Sequence, residues 1–378
     1  MSPGVIPDDL PIDELQAVFH LEEIRRDGAT IEFAGEALLP PNRVMSALHV
    51  PFDRAGYRLS VDRTGPYQMV LRAVPIAEAR SGIPWMNIAL FLLTIASTLL
   101  VGAFYWYYIP LDAAVADPLV ILQAWPFTAA VLGVLATHEM GHYLVGRYHG
   151  VDVSLPYLIP FLFPFGTLGA VIRMRGHMPD RRVLFDIGVA GPLAGLAATI
   201  VVSVIGLSLP PVTVPAWAMI ADGQAIMFNT PPLLDLVAAT IGAQTEYPGM
   251  RQTVSPVVIG AWVGMFFTVL NLLPVGQLDG GHIIRAMLGR TQERIAAAVP
   301  MVLFAIAGYL HLIRGYALNE SVALWIFWGF FAMVIAWRGP AHPVDETPLG
   351  TGRILLGVLT FALGALCFLL VPIEIASV

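Results

Sequence analysis

Leu135-Ala136-Thr137-His138-Glu139-Met140-Gly141-His142-Tyr143 lies inside an apolar run that extends from Leu119 to Tyr148. An α-helix needs about 20 apolar residues to cross a hydrocarbon core. The run therefore predicts a membrane-spanning helix that carries His138, Glu139 and His142. Residues four apart share one helical face, about 6 Å apart along the axis. Two imidazoles so placed can bind one zinc ion, and Glu139 stands beside the first to act on a water held there. A five-residue pattern can arise by chance, but the surroundings weigh against it. An ionisable group at membrane depth costs about 2.5–3.5 kcal/mol on insertion scales, and three of them are hard to tolerate without a metal or partners.

The rest of the chain fits the same solvent. Of its 378 residues, 57% are hydrophobic and 12% charged, where soluble domains hold about 45–50% and about 25%. The mean hydropathy is +0.73. Other apolar runs are Trp85–Tyr108, Val183–Leu209, Val257–Leu288 (broken in the middle), Ile295–Ile313, Val322–Trp337 and Ile354–Val371. Together they predict a mainly α, polytopic membrane protein with seven spans, or six or eight depending on the short Val322–Trp337 run.

Residues 1–80 predict a small soluble α+β module. Leu10 to Ile24 has helical spacing, and Thr30 to Leu39 alternates like a strand. Val44 to Val50 suits a short helix. Tyr57–Val61 and Gln68–Val74 read as strands joined by Thr64-Gly65-Pro66. His20 and His49 read as ordinary surface or core histidines.

Charge narrows the function. All 20 basic residues are arginine, and the net charge is −7. With no basic stripe, a nucleic-acid partner is excluded. Cys367 is the single cysteine, too few for an intrachain disulfide or a cysteine zinc site. The polar, acidic start lacks a signal-peptide pattern, so the first span is expected to target the chain. Asp112 and Asp117 follow the first span without an arginine. Arg147, Arg173, Arg175, Arg181 and Arg182 follow the second, Arg285, Arg290 and Arg294 flank the broken fourth, and Arg338 and Arg353 flank the last connection. The positive-inside rule then predicts a cytoplasmic N-terminal module, a cytoplasmic 149–182 segment and an external C-terminus. No transporter-like repeat is evident, and nothing in the sequence assigns an oligomeric state.

Zinc needs a third protein ligand, and the broken run supplies Asn271-Leu272-Leu273-Pro274-Val275-Gly276-Gln277-Leu278-Asp279-Gly280-Gly281-His282. Asp279 is a carboxylate in a segment that Pro274, Gly276, Gly280 and Gly281 keep from being one regular helix. Such backbone is tolerated at membrane depth only where it is buried in protein or lines a wet cavity. His282, one turn later, is a rival third ligand, and His138, His142 and His282 also make a chemically sensible site.

H-E-x-x-H in a membrane span followed by N-x-x-P-x-x-x-L-D-G resembles the signature of the site-2 protease family. Every fixed position matches: His138, Glu139, His142, Asn271, Pro274, Leu278, Asp279 and Gly280. The resemblance covers about residues 85–290. It implies that His138, His142 and Asp279 bind one zinc ion, which breaks the tie with His282. It also implies that Glu139 is the catalytic acid and base, and that Asn271 helps stabilise the oxyanion. The implied substrate is a transmembrane protein, cleaved within the lipid bilayer in regulated intramembrane proteolysis.

Gly166-Thr167-Leu168-Gly169-Ala170-Val171-Ile172-Arg173 resembles the family's G-x-x-G stretch before a membrane-associated strand that clamps substrate. The residues alone say that Gly166 and Gly169 break structure and that Ala170–Met174 can form a strand. Ala190-Gly191-Pro192-Leu193-Ala194-Gly195 resembles another family segment, A-G-P-x-x-G. Small residues let helices pack closely in lipid, so these residues read as scaffold. The stretch 210–253 reads as a Pro- and Ala-rich loop with no PDZ-like insertion. The N-terminal module resembles the chloroplast and prokaryotic branch that carries such a domain, which implies a prokaryotic cell membrane. The expected division is 1–80 as the soluble domain, 85–290 as the catalytic core and 291–378 as additional membrane helices.

Two other readings suit intramembrane ionisable residues. A metal-ion transporter could use His138, His142, Glu139 and Asp279 as a transit site, but such a site has no need of a carboxylate that is not a ligand. A catalytically inert scaffold is the other, and the intact motif weighs against it.

Overall fold

The computed structural model describes residues 10–63, 68–75, 83–162, 164–175, 178–218, 224–247, 252–339, 343–345 and 347–377. The expected turn Thr64-Gly65-Pro66 lies outside them.

Side chains alternate across a strand. Ile31, Phe33 and Ala37 on one strand therefore face the same way as Met69, Leu71 and Ala73 on another, and all six are buried in the N-terminal module. The module runs α1 (Ile12–Val18), β1 (Phe19–Asp27), β2 (Thr30–Ala37), α2 (Pro41–Arg54), β3 (Tyr57–Arg63) and β4 (Gln68–Pro75). Its antiparallel sheet has the order β1-β2-β4-β3. The helical reading of Leu10 to Ile24 is corrected: the helix ends at Val18 and the chain turns into β1. Asp27-Gly28 decides it. Gly28, with φ of 62°, sits in a tight hairpin loop that pairs Asp27 with Thr30 and carries the register up to Phe19 opposite Ala37.

The membrane part follows as α3 (Trp85–Val101), α4 (Leu111–Ala116), α5 (Trp125–Tyr148), β5 (Asp152–Val153), β6 (Tyr157–Pro160), β7 (Thr167–Val171), β8 (Met174–Arg175), β9 (Met178–Asp180) and α6 (Arg181–Leu207). Next come β10 (Val212–Thr213), β11 (Gln224–Phe228), α7 (Pro232–Ile241), β12 (Gln252–Thr253), α8 (Pro256–Asn271) and α9 (Asp279–Leu288). The chain ends with α10 (Thr291–Gly308), α11 (Ala323–Arg338), β13 (Pro343–Asp345), α12 (Thr351–Ala365) and β14 (Ile373–Ser377).

Among the described residues, five helices are long and apolar enough to cross a membrane: Trp85–Trp106, Pro118–Tyr148, Arg181–Leu207, Thr291–Ile313 and Glu320–Trp337. The fourth run is broken as expected, into α8 and α9 with residues 272–278 between them. The expected loop 210–253 is corrected: it contains the apolar helix α7, begun by Pro232 at its first turn and ended by left-handed Gly242.

Contacts at the two ends of the bundle show which elements share an end. At one end β9 pairs in parallel with β13, α2 of the N-terminal module packs against both, and Arg353 makes a bidentate ion pair with Asp186 at 2.8 and 2.9 Å. At the other end β11 pairs with β14, Ser321 donates to the Ile373 carbonyl, and Tyr108 packs edge-on against Trp217. Among the described residues these contacts fit seven traverses, made by α3, α5, α6, α8 with α9, α10, α11 and α12. The last is a 15-residue helix, about 22 Å long by its rise, and it packs on the break between α8 and α9. A Cβ on Gly364 would lie 2.2 Å from Leu272.

Candidate metal centre and substrate cavity

α5, α6 and α8 pack against one another, and α9 docks on α6. That arrangement brings the two distant motifs together. His138 and His142 project from one face of α5 with their ring centroids 4.9 Å apart. Asp279 opens α9, where Gly280 and Gly281 let the helix start against the preceding loop. A Cβ on Gly280 would meet the Leu272 carbonyl oxygen at 2.1 Å, and one on Gly281 the Gly276 oxygen at 2.4 Å.

The result is a triangle of ligand atoms. His138 Nε2 lies 3.2 Å from His142 Nε2, 3.1 Å from Asp279 Oδ2, and Asp279 Oδ1 lies 3.2 Å from His142 Nε2. Atoms bound to one tetrahedral zinc at 2.0–2.1 Å lie about 3.3 Å from each other, so the edges fit. The donor chemistry fits as well. His142 Nδ1 donates to the Ile187 carbonyl at 2.7 Å, which leaves the Nε2 lone pair aimed at the triangle. His138, Glu139 and His142 are all buried. Among the described residues His138, His142 and Asp279 form the one cluster able to hold a metal ion. His282 is also buried but stands outside the triangle, and its Nδ1 has no hydrogen-bond partner.

Asn271, the last residue of α8, holds its Nδ2 3.2 Å from His138 Nε2. Glu139 lines a cavity of about 120 Å³ together with His138, His142, Asp279, Asn271 and His282. Ala170, Val171 and Ile172 form part of its wall. Gly166, Gly169 and Arg173 do not. Gly166 and Gly169 have φ of 82° and 107° and shape the hairpin that delivers β7.

The strand boundaries differ from expectation. β7 covers Thr167–Val171 and pairs with β6, Tyr157 opposite Val171 and Leu158 opposite Ala170. Ile172 and Arg173 fall between β7 and β8, and β8 turns to pair with β5. The pairing switches because Ser154 receives the Arg173 amide on its hydroxyl and donates its own amide to the Arg173 carbonyl.

Met174, from the expected strand, and Leu278, from the motif, also line the cavity, and sequence reasoning missed Leu184, Ile187, Gly188 and Gln277, which complete its wall. Leu278 is a fixed position of the motif, and Gln277 stands beside it. Leu184, Ile187 and Gly188 carry no local signal, since their place depends on how α6 crosses α5.

Residues 126–310 match the family model described as Peptidase family M50. The chain is 33% identical over 259 residues to the probable zinc metalloprotease EGY1, chloroplastic, of Arabidopsis thaliana, a match over 67% of this chain and 44% of that protein. It is 30% identical over 252 residues to the probable zinc metalloprotease EGY2, chloroplastic, of Oryza sativa subsp. indica, over 65% of this chain and 42% of that protein. The probable zinc metallopeptidase EGY3, chloroplastic, of Arabidopsis thaliana is 26% identical over 385 residues, 93% of this chain and 62% of that protein. This last match extends into the N-terminal module, while the chain spans less than half of the first two relatives. A family match that covers the His-Glu helix, the Asn271 to Asp279 segment and the helices between them coincides with the residues that build the triangle, and the chain belongs to peptidase family M50, the site-2 protease family.

Proposed function

We propose that the protein is an intramembrane zinc endopeptidase that hydrolyses peptide bonds of membrane-embedded proteins, single-span proteins above all, in regulated intramembrane proteolysis. One observation carries the reading: Glu139, a carboxylate that the ligand triangle does not use, lines the same cavity as His138, His142 and Asp279. Ion transit would leave that carboxylate without a task. Relatives named as zinc metalloproteases support the same reading.

His138, His142 and Asp279 would hold one zinc ion. When bound, zinc supplies a Lewis acid and brings the pKa of a water down to about 7. Glu139 takes the proton of the attacking water and delivers it to the leaving amine. Asn271 donates its amide to the developing oxyanion. A substrate helix hides its carbonyls in its own hydrogen bonds, so a stretch of it unwinds and pairs with backbone groups of β7 near Ala170 and Val171.

The chain divides, on this proposal, into a soluble domain at 1–80, a catalytic core at 85–290 and additional helices at 291–378. The packing of α12 on Leu272 makes the third part a support of the second. The arginine-rich end of the bundle, where the N-terminal module meets β9 and β13, is the cytoplasmic end. The expectation of a prokaryotic cell membrane gains nothing from plant relatives named chloroplastic.

The test uses the full chain in liposomes with a panel of single-span peptides that carry helix-breaking residues at mid-span. Wild-type protein should cleave some of them, lose the activity to a chelator and regain it with zinc. Zinc flux without cleavage of any peptide overturns the proposal.

A further inference from the structure

The strand that faces the cavity is carried by the first membrane helix. Asn87, near the start of α3, donates both protons of its side-chain amide to the two carbonyls before β6: Leu155 O at 3.1 Å and Pro156 O at 2.8 Å. Further along the same helix, Ser97 Oγ donates to the Gly166 carbonyl at 2.6 Å, just before β7 begins. That carbonyl also accepts from the Phe161 amide across the hairpin at 3.2 Å. Ten residues of helix rise about 15 Å, and a strand from 156 to 161 spans about 17 Å. The two anchors therefore match the two ends of β6, which lies along α3.

The approach between them leaves no room for a side chain. A Cβ on Gly166 would lie 2.4 Å from Thr98 Cα. An amide near the start of a membrane helix is costly to leave unpaired, and both Asn87 donors go to this one connection. Neither Asn87 nor Ser97 lines the cavity, whereas Ala170 and Val171 of β7 do.

We propose that Asn87 and Ser97 are positioning residues, and that α3 and the β6–β7 hairpin form one substrate-receiving unit. What the unit receives rests on the peptidase reading above. The mount itself does not, and the test separates the two.

The variants are Asn87→Asp, which turns a carboxylate on two carbonyls, Ser97→Ala, and the pair combined. Asn87→Ala replaces Asn87→Asp if the charge prevents folding. Hydrogen exchange on full-length protein in detergent should rise in 157–160 and 167–171 and stay unchanged in α5, with zinc content unchanged. On whichever single-span peptide the wild type cleaves, kcat/KM should fall by up to about 10²-fold, with KM rising and kcat nearly constant. Ser97→Thr, which keeps a hydroxyl, should behave as wild type. Unchanged exchange in the hairpin overturns the proposal, and so does equal loosening of α5. Raised exchange with wild-type KM on a cleaved peptide overturns it too. Raised hairpin exchange in a protein whose wild type cleaves no peptide leaves the mount standing and sinks the peptidase reading.

Discussion

Gly191 on α6 lies directly against His142 on α5: a Cβ built on the glycine would come 2.0 Å from the Nε2 atom of the histidine. One turn along, a Cβ on Gly195 would come 2.9 Å from His138 Nδ1. Two glycines four residues apart thus face two histidines four residues apart, and α6 forms the wall against which both imidazoles rest. Close packing of small residues here sets the place of the two imidazoles.

Gly191→Ala should therefore push the His142 ring out of the triangle. The expected result is a folded protein with most of its zinc gone. Gly195→Ala, with a wider gap, should keep more. Zinc per mole of monodisperse protein measures both. Full zinc in Gly191→Ala would show that the ring has room to move and that the contact does not set its place.

Asp279 and His282 make a second comparison. Asp279 closes the triangle, while His282 lines the cavity outside it. Asp279→Ala should lower zinc affinity by more than the about 10–100-fold typical of losing a residue that only supports a ligand. His282→Ala should keep the metal. The opposite pattern would return His282 to the ligand set that the sequence alone left open.

What was legible in the sequence was chemistry fixed within a few residues. His138 and His142 share a helix face by spacing alone, and the Pro and Gly residues from Pro274 to Gly281 announced a broken helix. Legibility failed where the outcome depended on a distant partner. Leu10 to Ile24 has apolar residues at helical spacing, but Asp27-Gly28 folds its second half, from Phe19, onto β2. Gly191 and Gly195 carry no mark that separates packing against backbone from packing against a ligand. Asn87 and Ser97 are unremarkable in an apolar run until the hairpin is laid beside them. α12 lies outside the segment with recognisable motifs, yet Gly364 sits on Leu272 beside the break that carries Asp279.

The traverses predict a sidedness that can be measured. β11 pairs with β14, so the loop after α6 and the C-terminus share one end of the bundle, opposite the N-terminal module. A reporter active only in the cytoplasm should be silent when fused after Val378 and active when fused before Met1. Equal activity at both termini would mean an even number of crossings. The 15-residue α12, short against the about 20 residues of an ordinary span, is where the error would lie.

Glu139→Gln separates hydrolysis from transport. The substitution keeps the size of the side chain and removes the base that accepts the water proton. Loss of a general base costs about 10²–10⁴ in rate, and here the same carboxylate is also assigned the return of the proton to the leaving amine. The triangle of His138, His142 and Asp279 does not include Glu139, so zinc should remain bound at wild-type content. The expected protein is metal-loaded, inactive, and still able to retain a single-span peptide that the wild type cleaves. Retention matters because β7 and the rest of the cavity wall are untouched by the change. A transit site predicts otherwise: the wild type would move zinc into liposomes and cleave nothing. Zinc content, peptide cleavage and flux, measured side by side on wild type and variant, decide between them. Cleavage at wild-type rate by Glu139→Gln would remove the role assigned here to its carboxylate.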